Sequence, residues 1–271
     1  MLLEPLLIIE LLALGVVTGF LAGLLGIGGG MIMVPFVTYA LSHRGVASDL
    51  AVKMAIATSM ATIIFTSISS VRAHHQRGAV RWDIARTLSP GIVVGSLLGS
   101  MGLFALLKGA WLAVLFGLFV SFSATQMLLN KKPAPGRQLP GTGGQLAAGG
   151  FIGLLAGLVG AGGAFISVPF MTWCNVAIHS AVATSAALGF PIALANAFGY
   201  VVSGWDLAGR PSASLGYIWL PALAVIATAS VLTAPLGARA AHALDIHRLK
   251  RIFAFVLYIL AVYMFYKGAF S

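Results

Sequence analysis

Two kinds of residue in this chain of 271 could do chemistry together, and each occurs twice. The first is glycine in tight runs: Gly28, Gly29 and Gly30, and again Gly162 and Gly163. Each run stands just before an apolar, helix-forming piece. The first N–H groups of a helix lack internal acceptors and carry partial positive charge. Glycine lets a ligand come close to that backbone. Two such ends meeting inside a membrane would hold a small anion without a buried Lys or Arg. The second kind is the hydroxyl pair of Ala-Thr-Ser, at Thr58-Ser59 and at Thr184-Ser185. Hydroxyls on an apolar span donate to an oxyanion or back-bond to their own helix. The candidate anion-binding set is therefore Gly28, Gly29, Gly30, Gly162, Gly163, Thr58, Ser59, Thr184 and Ser185. Lys53 and His179 match at the offset of the hydroxyl pairs. They either snorkel to lipid headgroups or draw an anion to the mouth.

Other chemistry is missing from the pattern. The acidic residues Glu4, Glu10, Asp49, Asp83, Asp206 and Asp245 all read as loop or interface positions. A proton or sodium path usually shows an acidic residue inside the membrane, so no coupling ion is assigned. His74 and His75 are adjacent, which is not metal-ligand spacing on one helix face. No cofactor or metal is called for, and no nucleophile motif or HExxH points to an enzyme. Cys174 is the one cysteine and reads as a small buried hydrophobe. Asn196, inside a span, is expected to bond across to a neighbouring helix.

The elements that must position these residues come from an internal duplication. GFLAGLLGIGGGMIMVPF (19–36) returns as GLLAGLVGAGGAFISVPF (153–170), with 12 of 18 positions identical and no gap. A Gly, Gly-Gly and Val-Pro-Phe pattern in fixed register is a repeat rather than shared membrane composition. Each copy is an apolar run cut by glycines, Leu11 to Leu25 then Met31 to Leu41, and Leu146 to Val159 then Ala164 to Ala177. A full span needs about 20 apolar residues. The pieces therefore predict a hairpin of two half-helices that enters the membrane and turns back. Bare backbone at that depth is tolerated only where it is buried in protein or lines a cavity. Interrupted segments at matching places in two halves point to a transporter's binding site. Pro35 and Pro169, at equivalent positions, would fix the helices behind the tips. After each hairpin come three spans: about 50–71, 87–107 and 110–130, then 180–203, 215–238 and 252–266. The expected division is a first repeat over 1–130, a linker over 131–144 and a second repeat over 145–271. Gly91, Gly95 and Gly99, Gly15, Gly19 and Gly23, and Gly149, Gly153 and Gly157 recur every four residues, as on close-packing helix faces. Pro191 predicts a kink.

Composition sets the class. Hydrophobic residues make up 59% of the chain and charged ones 8%, with mean hydropathy +1.00. The fold class is an all-α polytopic membrane protein, since the apolar runs are continuous where an outer-membrane barrel would alternate. The N-terminus lacks the basic start of a cleaved signal peptide. The net charge of +10 is no nucleic-acid signal, because the basic residues sit in short loops; the partners expected are the lipid bilayer and a small anion, and no oligomeric state is implied. Loops 72–86, 131–137 and 239–251 hold 11 of the 16 Lys and Arg. Placing those loops in the cytoplasm leaves the other five outside without breaking alternation. Both termini are then periplasmic, and the halves become inverted-topology repeats.

The glycine motifs with their Val-Pro, the AIATS span with RAHHQRG behind it, and the second motif with AVATS resemble the sulfite exporter TauE/SafE family over nearly the whole chain. One departure is Ala164 where the first half has Gly30. The resemblance implies a bacterial inner-membrane permease for small sulfur-containing anions such as sulfite, thiosulfate or organosulfonates, working here by alternating access. An anion channel on the same fold, or a non-transporting membrane scaffold, are the alternatives.

Overall fold

The computed structural model describes residues 4–25, 29–129, 136–240 and 246–270. Gly28, Lys131 and Lys132 lie outside them, as do residues 241–245 of the expected basic loop 239–251. Among the described residues the first half runs as α1 (Pro5–Leu25), α2 (Gly30–His43), α3 (Ser48–His75) and α4 (Trp82–Leu97). The last continues through a π-helical turn (Leu98–Leu103) into a short α5 (Phe104–Leu106), and α6 (Gly109–Leu129) follows. The second half runs as α7 (Thr142–Val159), α8 (Ala164–Trp173), α9 (Ile178–Ser203), α10 (Leu220–Ala240) and α11 (Ile246–Ala269). Among the described residues eight helices are long and apolar enough to cross a membrane, so this is an all-α multi-pass membrane protein.

The arms of the two hairpins are unequal, which corrects one expectation. The second arms, α2 with 14 residues and α8 with 10, fall short of a span. The first arms do not: α1 has 21 residues and α7 has 18. For α1 the reason is Pro5, which opens the helix at a position where a missing N–H costs nothing. Gly29, Gly30 and residues 160–164 are buried, which meets the condition for bare backbone at membrane depth.

Helix pairing is reciprocal between the halves. α1 packs most extensively on α10, and α7 on α4; α6 pairs with α11, and α3 with α9. The four-spaced glycines make these contacts, as expected. A Cβ at Gly15 would meet the Ile226 backbone, and one at Gly19 the Ser230 backbone. On the other side Gly91 and Gly95 lie against the Leu146 and Gly150 carbonyls, while Gly149 and Gly153 lie against those of Leu88 and Ile92. Backbones this close lock the pairs by van der Waals contact where water exclusion cannot drive association.

α9 is helical on both sides of Pro191. Two further expectations are corrected. The basic loop after α3 shrinks to 76–81, because α3 continues to His75 and α4 begins at Trp82. Asn196 does not donate across helices; its amide donates to the Ile192 carbonyl one turn back at 2.8 Å, and its oxygen faces Gly157.

A two-stranded ribbon was not foreseen. β1 (Ser214–Leu215) pairs antiparallel with β2 (Ile218–Trp219). Gly216 turns between them with φ +55, as the first central position of a type II′ hairpin requires. A Cβ there would also lie 2.6 Å from the Tyr200 carbonyl. The ribbon is therefore pressed into the helices, and Tyr217, Ile218 and Trp219 are all buried.

Candidate functional site

The two glycine tips meet each other. Gly29 and Gly163 are the residues before α2 and α8, and both are left-handed, with φ 64 and 73. Each carbonyl accepts the N–H groups of the third and fourth residues after it: Ile32 and Met33 on Gly29, Ile166 and Ser167 on Gly163. The equivalent glycines thus have a backbone reason to be glycine. Gly30 has a packing reason. A Cβ there would sit 2.6 Å from the Gly160 carbonyl oxygen and 3.4 Å from the Ala161 Cα. Ser59 closes the same contact, its hydroxyl donating to the Gly160 carbonyl at 3.4 Å.

A small, partly open cavity lies on the far side of the second tip. Gly162, Ala164, Ser185 and Gly189 line it together with Ile63, Thr66, Ser67 and Ser70 of α3. Ala22, Gly23, Ala186 and Ala234 complete the wall. Its volume is about 30 Å³, the room of two or three waters at roughly 10–15 Å³ each. Ile63 to Ser70 covers about 10 Å of helix at 1.5 Å per residue, so the cavity extends from the tip toward loop 76–81. The first N–H groups of α8, on Ala164 and Phe165, have no intrahelical acceptor. Ser185 shares a hydrogen bond with Ser167 at 2.8 Å. The wall is therefore hydroxyls, a helix N-terminus and small apolar groups.

Of the sequence candidates, Gly162 and Ser185 line this cavity. Gly163 flanks it from the cap of α8. Gly30 and Ser59 are spent on the contact between the tips. Gly29 packs beneath, its Cβ position 3.0 Å from the Thr18 carbonyl. The departure at Ala164 also has a setting: Ala164 lines the cavity, whereas a methyl on Gly30 would meet backbone. Pro35 and Pro169 each occupy the sixth position of their helices, α2 and α8. Thr66, Ser67 and Ser70 were missed. Their signal was visible in the hydroxyl-rich run ATSMATIIFTSISS, but they have no counterparts in the second half to mark them.

The two threonines do something else. The Thr58 hydroxyl accepts the backbone N–H of Trp219 at 2.9 Å. The Thr184 hydroxyl accepts the backbone N–H of Arg81 at 3.0 Å. Trp219 immediately precedes α10 and Arg81 immediately precedes α4, the equivalent helix of the other half. Each Ala-Thr-Ser motif thus holds the loop that follows its counterpart's helix. Around the first latch, Tyr217, Ile218 and Trp219 fill the end of α3 nearest Ser48. Around the second, Val80 packs on Ala183 and Ala187. We call 217–219 and 79–81 the two plugs.

Lys53 and His179 are placed unequally. His179 is exposed. Lys53 is 8% exposed, and its ammonium donates to the Ala105 carbonyl at 3.3 Å. Burial, and after it the Asp49 carboxylate, push the Tyr217 phenol above its usual range, so the ring beside Lys53 is neutral. Burial likewise raises the Cys174 thiol, in keeping with its reading as a small hydrophobe. No group of three metal-ligating side chains occurs among the described residues.

Comparison with known proteins agrees with this architecture. The family model for "Sulfite exporter TauE/SafE" matches residues 11–264. A "Probable membrane transporter protein" of Haemophilus influenzae is 37% identical, over 94% of this chain and 97% of its own length. Relatives carrying the same description in Methanocaldococcus jannaschii and Bacillus subtilis are 25% and 26% identical over nearly their whole lengths. No solved structure matches. With a family model covering almost the entire chain and a relative this similar end to end, the protein belongs to the sulfite exporter TauE/SafE family of membrane transporters.

Proposed function

We propose that this protein is a secondary transporter that moves small sulfur-containing oxyanions, of the sulfite, thiosulfate or organosulfonate class, across the bacterial inner membrane. The observation that carries the reading is the cavity at the second glycine tip. It offers an anion the N-terminus of α8 and a lining of Ser185, Thr66, Ser67 and Ser70 with no carboxylate to repel it. The Thr66 and Ser67 hydroxyls donate to their own helix here and Ser185 bonds to Ser167, so an anion would have to draw these hydroxyls to itself. Charge-assisted hydrogen bonds from such donors replace the water an oxyanion leaves behind. Room for a few heavy atoms suits a bare oxyanion.

The pair of plugs supports a reading of alternating access. The cavity lies along α3 between the Thr58 latch and loop 76–81. Opening one plug while the other holds would expose the anion to one side at a time. The halves then act as inverted-topology repeats, 1–130 and 145–271, joined by the linker 131–144. The reciprocal pairing of α1 with α10 and of α7 with α4 supports that relation. The excess of Lys and Arg in 72–86, 131–137 and 239–251 supports placing those loops in the cytoplasm and both termini in the periplasm.

The test is flux in proteoliposomes loaded against labelled sulfite, with sulfate, thiosulfate, sulfoacetate, taurine and acetate as competitors. Saturable uptake, inhibited by sulfur oxyanions and not by acetate, is the expected result. Conductance far above a carrier's turnover would replace the carrier with a channel. Neither flux nor anion binding in detergent would leave a scaffold.

A further inference from the structure

Lys53 is a charged group buried in a membrane helix with no carboxylate in ion-pair contact; Asp49, one turn away, acts on it only through space. The one salt bridge among the described residues is Arg81–Asp83, and Asp49, one turn before Lys53, gives its carboxylate to the Gly109 N–H. The ammonium is held instead by the Ala105 carbonyl and by two aromatic rings. Its nitrogen lies 5.9 Å from the centre of Phe104 and 5.8 Å from that of Tyr217. A buried cation without a direct carboxylate contact is a costly arrangement, and the ring faces together with the more distant Asp49 compensate it only in part.

One of those rings belongs to the plug. Tyr217 shares the plug with Trp219, whose N–H is held by Thr58 and whose ring lies 5.9 Å beneath the Arg44 guanidinium. The plug therefore closes by seating its two aromatic rings on two cations, one of them buried. Lifting it would take the Tyr217 face from Lys53 and uncover the ammonium five residues from Thr58, about 7.5 Å along the helix axis. The other plug has no counterpart. Its residues Ala79, Val80 and Arg81 carry no aromatic ring, and His179, the match of Lys53, is exposed.

We propose that Lys53 is the specificity-determining cation of one face of the transporter: sheathed by Tyr217 when plug 217–219 is down, it captures an incoming anion when the plug lifts. This rests on the transport reading above and adds a residue and a side to it. An anion that takes the place of the ring neutralises the buried charge and holds the plug open while it descends toward the tips. Neutral solutes gain nothing from the exchange, so the step selects for negative charge before the inner cavity is reached.

The experiment measures entry of labelled sulfite into right-side-out and inside-out membrane vesicles containing the full chain. Impermeant thiol labelling of Asp206→Cys in a Cys174→Ala background identifies which vesicles present the 204–219 loop. Lys53→Met should raise KM for entry from that face at least tenfold and change entry from the opposite face by less than about twofold. Lys53→Arg, which keeps the charge, should stay within about threefold of the parent on both faces. If Lys53→Met fails to reach the membrane, Lys53→Gln is read the same way. Equal effects on both faces, or none on either, would overturn the assignment while leaving the transport reading intact. Absence of sulfite entry in the parent from both faces would remove the transport reading and this inference with it.

Discussion

At the scale of single residues, the tip glycines separate into kinds that the sequence ran together. Gly29 and Gly163 need a left-handed backbone, Gly30 needs space against the Gly160 carbonyl, and Gly162 needs neither. A Cβ at Gly162 would meet only Ile63, at 3.6 Å, an ordinary contact. Gly162→Ala is therefore the clean probe of the cavity. It should change stability by no more than about 0.5 kcal/mol, yet narrow a small cavity by a methyl group and raise the half-saturation for sulfite several-fold. Gly30→Ala should do the reverse, pushing the tips apart at a cost of about 1–3 kcal/mol typical of overpacking. Melting temperatures and sulfite binding on the two purified variants check both outcomes. If Gly162→Ala binds like the parent, the anion does not rest at the second tip. The motif glycines look alike in sequence because backbone conformation, a neighbour's carbonyl and a cavity wall all demand the same missing side chain.

At the scale of elements, the plugs make a prediction about coupling. Thr58→Val removes the acceptor of the buried Trp219 N–H without changing shape. An unsatisfied buried donor costs about 1–3 kcal/mol, which is roughly 5- to 150-fold in the balance between closed and open plug at 1.4 kcal/mol per tenfold. Labelling of a cysteine at Ile218, buried in the parent, should accelerate by about that factor. Thr184→Val should do the same for a cysteine at Val80, and neither change should speed labelling at the other end. If the plugs exclude one another, opening the first should slow the second below the parent's rate. Labelling that rises at both ends together would show a general loosening and argue against separate gates. The sequence presented these threonines as anion ligands because their partners are 161 and 103 residues away. Periodicity and spacing report what a helix can present, not which loop folds back onto it.

At the scale of the whole molecule, the topology reading can be tested directly. Gln138 and Asp206 are both exposed, one in the linker and one in the loop after α9. Single cysteines at these two positions, with Cys174→Ala, should react with an impermeant reagent from opposite faces of the membrane. Reaction of both from one face would remove the inverted arrangement and with it the two-plug mechanism, though not the close α1–α10 and α4–α7 pairs.

Three features were settled by local sequence alone. Continuous apolar runs dictate spanning helices, since lipid leaves the backbone no other way to satisfy its hydrogen bonds. The Gly-Gly and Val-Pro-Phe repeat locates the two breaks, because a left-handed residue must stand before each short helix. The four-spaced glycines announce the close-packed faces. Tertiary structure decided the rest. Gly162 and Ser185 reach the cavity while Gly30 and Ser59 are consumed where the tips meet, because two equivalent tips that touch each other cannot both face the same open space. Thr58 and Thr184 became latches because segments before α10 and α4 return to them. Lys53 is sheathed and His179 is not, because only one of the two plugs carries aromatic rings. A duplicated sequence specifies equivalent parts, and the asymmetry between them arises only when the halves pack on each other.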